Sequence, residues 1–216
     1  MEFDPDDFKP TQQHVQELFD VLKDGVERMV AEGDCPGVAP LVGVLCYDPF
    51  TGKEETRLNI LADLGFDDNL DKKKAFKIVA ANIFAAHRLP LAVGLVSEAW
   101  TAEMKGKEAM EEYYKKHLMI ADDPNRIEVV TVSAMGFPVK DSPAADCLGL
   151  ADHRKITRDA KEIISWDGDW LMPPEVGATY QCNLLGRFYE AYVAFGFKRE
   201  DYKAYTAIAK EMALDR

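Results

Sequence analysis

LAVGLVSEAW at residues 91–100 and RIEVVTVSAM at residues 126–135 are the two stretches that decide how this chain folds. Both are rich in β-branched and apolar residues, and each turns polar at one end. That composition predicts buried strands whose tips emerge at a rim. If the two lie side by side in one sheet, the block Ser97-Glu98-Ala99-Trp100 meets the block Asp122-Asp123-Pro124-Asn125-Arg126-Ile127-Glu128.

The pattern on either side fits a sheet rather than a bundle. Upstream, PLVGVLCY (40–47) is apolar on both faces, and TRLNILADL (56–64) alternates, with Leu58, Ile60, Ala62 and Leu64 on one face. The Asp48-Pro49 and Thr51-Gly52 pairs between them predict a hairpin. Downstream, residues 136–150 hold Gly136, Pro138, Pro143 and Gly149, which predicts a loop. In ADHRKITRDAKEIISW (151–166), Ile156 and the Ile163–Trp166 segment flank Arg158-Asp159-Ala160-Lys161. This reads as a second hairpin with a solvated outer face; a helix from Thr157 to Ser165 is the alternative.

Helical periodicity fills the remaining positions. Val15, Leu18, Phe19, Leu22, Val26, Met29 and Val30 recur at three- and four-residue intervals and stop at Gly33, an amphipathic stripe that Thr11 can cap. Asp67-Asp68-Asn69 caps a second helix with Phe76, Val79, Ile83 and Phe84 inward, ending near Arg88 before Pro90. Residues 103–119 read as a polar helical excursion. After Pro173-Pro174, Leu185, Phe188, Tyr189, Tyr192 and Val193 mark a helix ended by Gly196, and Tyr202, Tyr205, Ala209 and Met212 mark the last one. The expectation is an α+β fold: a predominantly antiparallel sheet of five to six strands packed with helices, closed by a C-terminal helix pair. All of it reads as one domain over residues 1–216, with an acidic arm at 1–10 and a helical hairpin at 175–216.

Charge narrows the partners. With 26 Lys and Arg against 38 Asp and Glu, the formal charge is −12, a surface that repels phosphate backbones and anionic lipid. Neither nucleic acid nor membrane is expected as a partner. The cysteines at 35, 46, 147 and 182 form no CxxC pair, and MEFDPDDF at the start has no secretory pattern. Reduced thiols and a cytoplasmic location are the expectation.

No GxGxxG, GxxxxGK[ST] or GxSxG occurs, so no cofactor is assigned through these motifs. His14, His87, His117 and His153 make no HxH or HxxxH pair. Cys147 precedes His153 by six residues, with Asp146 and Asp152 near, and reads as a loop thiol beside a strand histidine. The candidates for chemistry are therefore Glu98, Asp123, Arg126 and His153, with Asp122, Asp123 and Glu128 as candidate ligands for a hard cation. Asp-Asp-Pro-Asn is equally a turn and strand-start signal.

Two functional readings result. The first is a non-catalytic protein acting through self-association, most simply as a homodimer, or by binding another protein. It is motivated by the acidic surface and by the late aromatics, of which Tyr189, Tyr192, Tyr202 and Tyr205 exceed what one seam hides. The second is a small metal-assisted hydrolase or ligand-binding domain with a carboxylate-rich site at the strand ends. An acidic decoy for a nucleic-acid-binding protein ranks behind both.

Overall fold

The computed structural model describes residues 12–33, 35–48, 50–61, 69–102, 107–116, 120–136, 149–171 and 183–194. The acidic arm, the loop after residue 136, Pro173-Pro174 and the last predicted helix lie outside them. The described chain runs α1 (Gln12–Ala31), β1 (Leu41–Asp48), β2 (Lys53–Ile60), α2 (Asn69–Ala85), β3 (Leu89–Thr101), α3 (Lys107–Lys116), a 3-10 turn (Ile120–Asp122), β4 (Ile127–Gly136), β5 (Gly149–Arg158), β6 (Ile164–Leu171) and α4 (Asn183–Ala194).

The six strands form one sheet in the order β2-β1-β3-β4-β5-β6, every pairing antiparallel. This is the α+β architecture that the alternating runs and short turns predict. Residues 149–171 make the β5–β6 hairpin, not the alternative helix, and its strands reach further than the 151–166 stretch suggested. As strand residues, Ile156 and Ile164 both enter the core beneath α1.

Helices cover both faces of the sheet, which explains why β1 and β3 are apolar on both sides. The stripe of α1, from Val15 to Val30, packs on Leu45, Val96, Val130, Val132 and Ile156. On the other face, Val42, Val44, Val93 and Leu95 meet Phe76 and Val79 of α2 and Phe188 and Tyr192 of α4.

Two details set the geometry. Gly43 and Gly94 are cross-strand partners, and together they form a dimple on the α1 face that receives Leu18 and Leu22. Pro90 has no N–H to give β1, and the ladder shifts register beside it, between Leu45 and Cys46. Leu58 and Ile60, read from the alternation as sharing one face, lie on the edge strand β2. Leu58 is 54% exposed and Ile60 45%.

Candidate functional site

β3 and β4 pair along Ala92–Thr101 and Ile127–Gly136, so their polar tips share one rim, with Trp100 opposite Glu128 and Glu98 opposite Val130. Side chains alternate along a strand, so Glu98 and Glu128 stand on the face of Val96 and Val130, the α1 face. Arg158 reaches both from the end of β5. Its Nη2 donates to Glu98 Oε2 at 2.6 Å, its Nε to Glu128 Oε2 at 2.9 Å, and its Nη1 to the Pro36 carbonyl at 2.7 Å. Glu98 Oε1 in turn accepts the Val38 N–H at 2.6 Å. Gly37 passes so close that an added Cβ would lie 3.3 Å from that oxygen. Burial works against the charge on Arg158; the bond to Glu128 and the charges of Glu98 and Glu128 outweigh it and hold the guanidinium above its ordinary value.

The predicted site residues fall into three places. Glu98 and Glu128 meet at the rim, joined by Arg158. Asp123 and Arg126 belong to the turn entering β4: buried Asp123 accepts the Asn125 N–H at 2.8 Å, and Arg126 lies over the Trp100 ring at 4.8 Å. Asp122 is exposed in the 3-10 turn just before them. His153 pairs with Thr131 on β4, a position of the opposite face, where Thr131 and Ser97 hydroxyls lie 3.3 Å apart. It is therefore separated from Glu98 by the sheet itself. Among the described residues, no three His, Cys, Asp or Glu side chains gather as metal ligands.

Two further polar clusters were not visible in the sequence. At the opposite end of β1, Arg88 bonds Asp48 at 3.0 Å and Glu55 at 2.7 Å, while Glu55 also takes Arg57 at 2.8 Å. The Arg88 hydrogen bond, opposed by burial and aided by Arg57, holds the Glu55 carboxyl below its usual value. The Arg88 carbonyl accepts the Tyr192 hydroxyl at 2.6 Å, which fastens α4 to the end of α2. On the α1 face, Lys23 bonds Asp152 at 2.9 Å and sits 4.6 Å from the Trp170 ring. Glu27 accepts the Trp170 indole N–H, and Arg154 lies over Trp166 at 4.7 Å. Trp170 stands 143 residues from Glu27 in the chain, so no local spacing signals this cluster.

Chemically, these groups act as fasteners. Each named cation already holds a carboxylate or an aromatic face, and each cluster ties elements distant in the chain. Tyr189 and Tyr192, expected to offer area to a neighbour, are 3% and 2% exposed and donate to the carbonyls of Met135 and Arg88. Tyr202 and Tyr205 lie outside the described residues. The large apolar side chains that do face solvent include Leu58, Ile60, Trp100 and Leu171. No helix among the described residues is long and apolar enough to cross a membrane. Comparison with family models, curated proteins and solved structures finds no match to the chain.

Proposed function

We propose that this chain works by association rather than by chemistry, as an acidic cytoplasmic scaffold that binds a protein surface. The observation carrying this reading is the edge strand β2, which leaves Leu58 and Ile60 largely exposed beside the α1 core. Apolar side chains on an unpaired strand mark a site for pairing or docking. The rim supports the same reading from the other side, because Arg158 already engages both Glu98 and Glu128. A carboxylate pair neutralised this way is poorly placed to capture a cation or accept a proton. The charge of −12 favours a protein partner over nucleic acid or an anionic membrane. Free thiols at Cys35 and Cys46 support a reducing compartment.

Sedimentation equilibrium over a concentration series, paired with calorimetric titration of Mg2+ and Mn2+, tests the reading. Self-association predicts an average mass that rises with concentration, binding of another protein predicts a constant one, and both predict no cation uptake dependent on Glu98 and Glu128. A constant single-chain mass, together with cation uptake abolished by Glu98→Gln, would refute it.

A further inference from the structure

We infer that the partner at this edge is a second copy of the chain, joined β2 to β2 in antiparallel register about a two-fold axis through Leu58. The inference rests on the association reading above and goes beyond it by naming the occupant and the register.

Backbone phase comes first. The β1–β2 ladder pairs Leu41 with Ile60 through Asp48 with Lys53, and the Leu61 N–H donates to the Pro40 carbonyl at 2.8 Å, one step beyond it. In an antiparallel ladder, hydrogen-bonded pairs alternate with non-bonded ones. Lys53, Glu55, Arg57 and Asn59 therefore exchange bonds with β1. The N–H and C=O groups of Glu54, Thr56, Leu58 and Ile60 point outward, where no other strand of the described residues takes them.

Charge then separates the two edges of the sheet. β2 carries Lys53, Glu54, Glu55 and Arg57, which sum to zero in a chain of −12. β6 carries Asp167 and Asp169 with no basic residue, so a β6 seam sets four carboxylates together. Its ladder is also interrupted, by a register shift between His153 and Lys155 and by Gly168 at φ +82°. Such irregularity blunts an edge.

Side chains choose the register. A two-fold axis normal to the sheet keeps each residue on its own face, so facing residues share parity. An axis at Arg57 puts arginine opposite arginine, which is unfavourable. An axis at Thr56 puts Glu54 opposite Leu58. At Leu58, leucine faces leucine, Thr56 faces Ile60 and Arg57 faces Asn59. The outward backbone groups of Thr56, Leu58 and Ile60 then complete each other. Leu58 already lies beside Leu18 and Leu22, so the seam extends the existing core.

Sedimentation velocity of the full chain with Leu58→Pro and Leu58→Lys tests this. Proline at 58 removes an N–H that β1 does not use, so the fold survives while the seam loses two bonds, one from each copy. Lysine sets two cations face to face at the axis. The wild type is expected as a dimer of the 24.2 kDa chain. Both variants should raise the dissociation constant at least about tenfold, with unchanged circular dichroism. Added salt should tighten the dimer by screening the repulsion of two acidic copies. A wild type that stays monomeric at high concentration overturns the second copy as partner. A dimer that survives both substitutions, or that salt dissociates, overturns the β2 seam and leaves association through another surface standing. Should Leu58→Pro fail to fold, Leu58→Lys alone decides between these outcomes.

Discussion

Replacing Gly94 with alanine should destabilise the protein, although the same substitution at Gly25 should stabilise it. A Cβ at Gly94 would lie 2.4 Å from Leu22 Cδ1 and 2.9 Å from the Ser133 carbonyl oxygen. Carbon atoms in contact prefer about 3.5–4.0 Å, so the overlap with Leu22 exceeds about 1 Å. Leu22 is 1% exposed and has nowhere to turn, and the oxygen belongs to the β4 backbone. Overpacking of this kind costs about 1–3 kcal/mol. The reduced entropy of the unfolded chain returns only about 0.4–1 kcal/mol. The net loss lies between about 0 and 2.6 kcal/mol, and the 2.4 Å overlap with a buried leucine puts Gly94 toward the upper end, up to about 10 °C in melting temperature for a chain of this size. Gly43→Ala should be milder, because its closest contacts lie at 2.9 and 3.1 Å rather than 2.4 Å and all three are leucine methyls, with no backbone atom among them. Gly25 has nothing within 4 Å of an added Cβ and sits inside α1, so alanine there should add about 0.5–1 kcal/mol. Urea unfolding of the three variants gives the order directly. If Gly94→Ala matches or exceeds the wild type, α1 does not seat in the Gly43–Gly94 dimple and the packing described above is wrong.

Arg158→Met leaves Glu98 and Glu128 as unneutralised neighbours, so unfolding should show a loss of about 1–2 kcal/mol that shrinks in high salt; a loss independent of salt argues against the pairing. Glu55 has a folded pKa depressed below its ordinary 4.5, so its stabilisation is present above that value and is lost as the pH falls through the depressed one. The stability gap between wild type and Glu55→Gln should therefore be constant near neutrality and close in acid; a gap unchanged at low pH contradicts the Arg88 contact. Burial pushes the Cys46 thiol up to about 12, so a thiol reagent at mildly alkaline pH should label Cys46 only after denaturation, as read by peptide mass mapping. Asn59 gives its N–H to β1 and Leu58 does not, so Asn59→Pro should lower the melting temperature far more than Leu58→Pro; equal losses would reverse the ladder phase.

Local pattern made most of the fold legible. The stripe from Val15 to Val30 needs no tertiary information to read as a helix, and PLVGVLCY is apolar on both faces because its strand is covered on both. What the pattern cannot carry is neighbour order. Leu58 and Ile60 alternate as a half-buried strand should, yet their strand is the edge, and only the sheet order reveals that they face solvent. The rim shows the same division. The strands around 91–100 and 126–135 were legible as strands, but their pairing, which brings Glu98 to Glu128, entered the sequence reading only as a condition. The arginine serving them is Arg158, thirty residues past Glu128 and read in the sequence as part of a solvated turn, while nearby Arg126 stacks on Trp100. His153 parted from the group for a reason of parity, since its partner Thr131 lies one residue from Val130 and so on the other face.

Residue-resolved amide hydrogen exchange over a dilution series tests the association claim most directly. The N–H groups of Thr56, Leu58 and Ile60 should be protected at high concentration and open on dilution, while those of Arg57 and Asn59 stay protected throughout. Fast exchange at Thr56, Leu58 and Ile60 at every concentration would contradict association through the β2 edge.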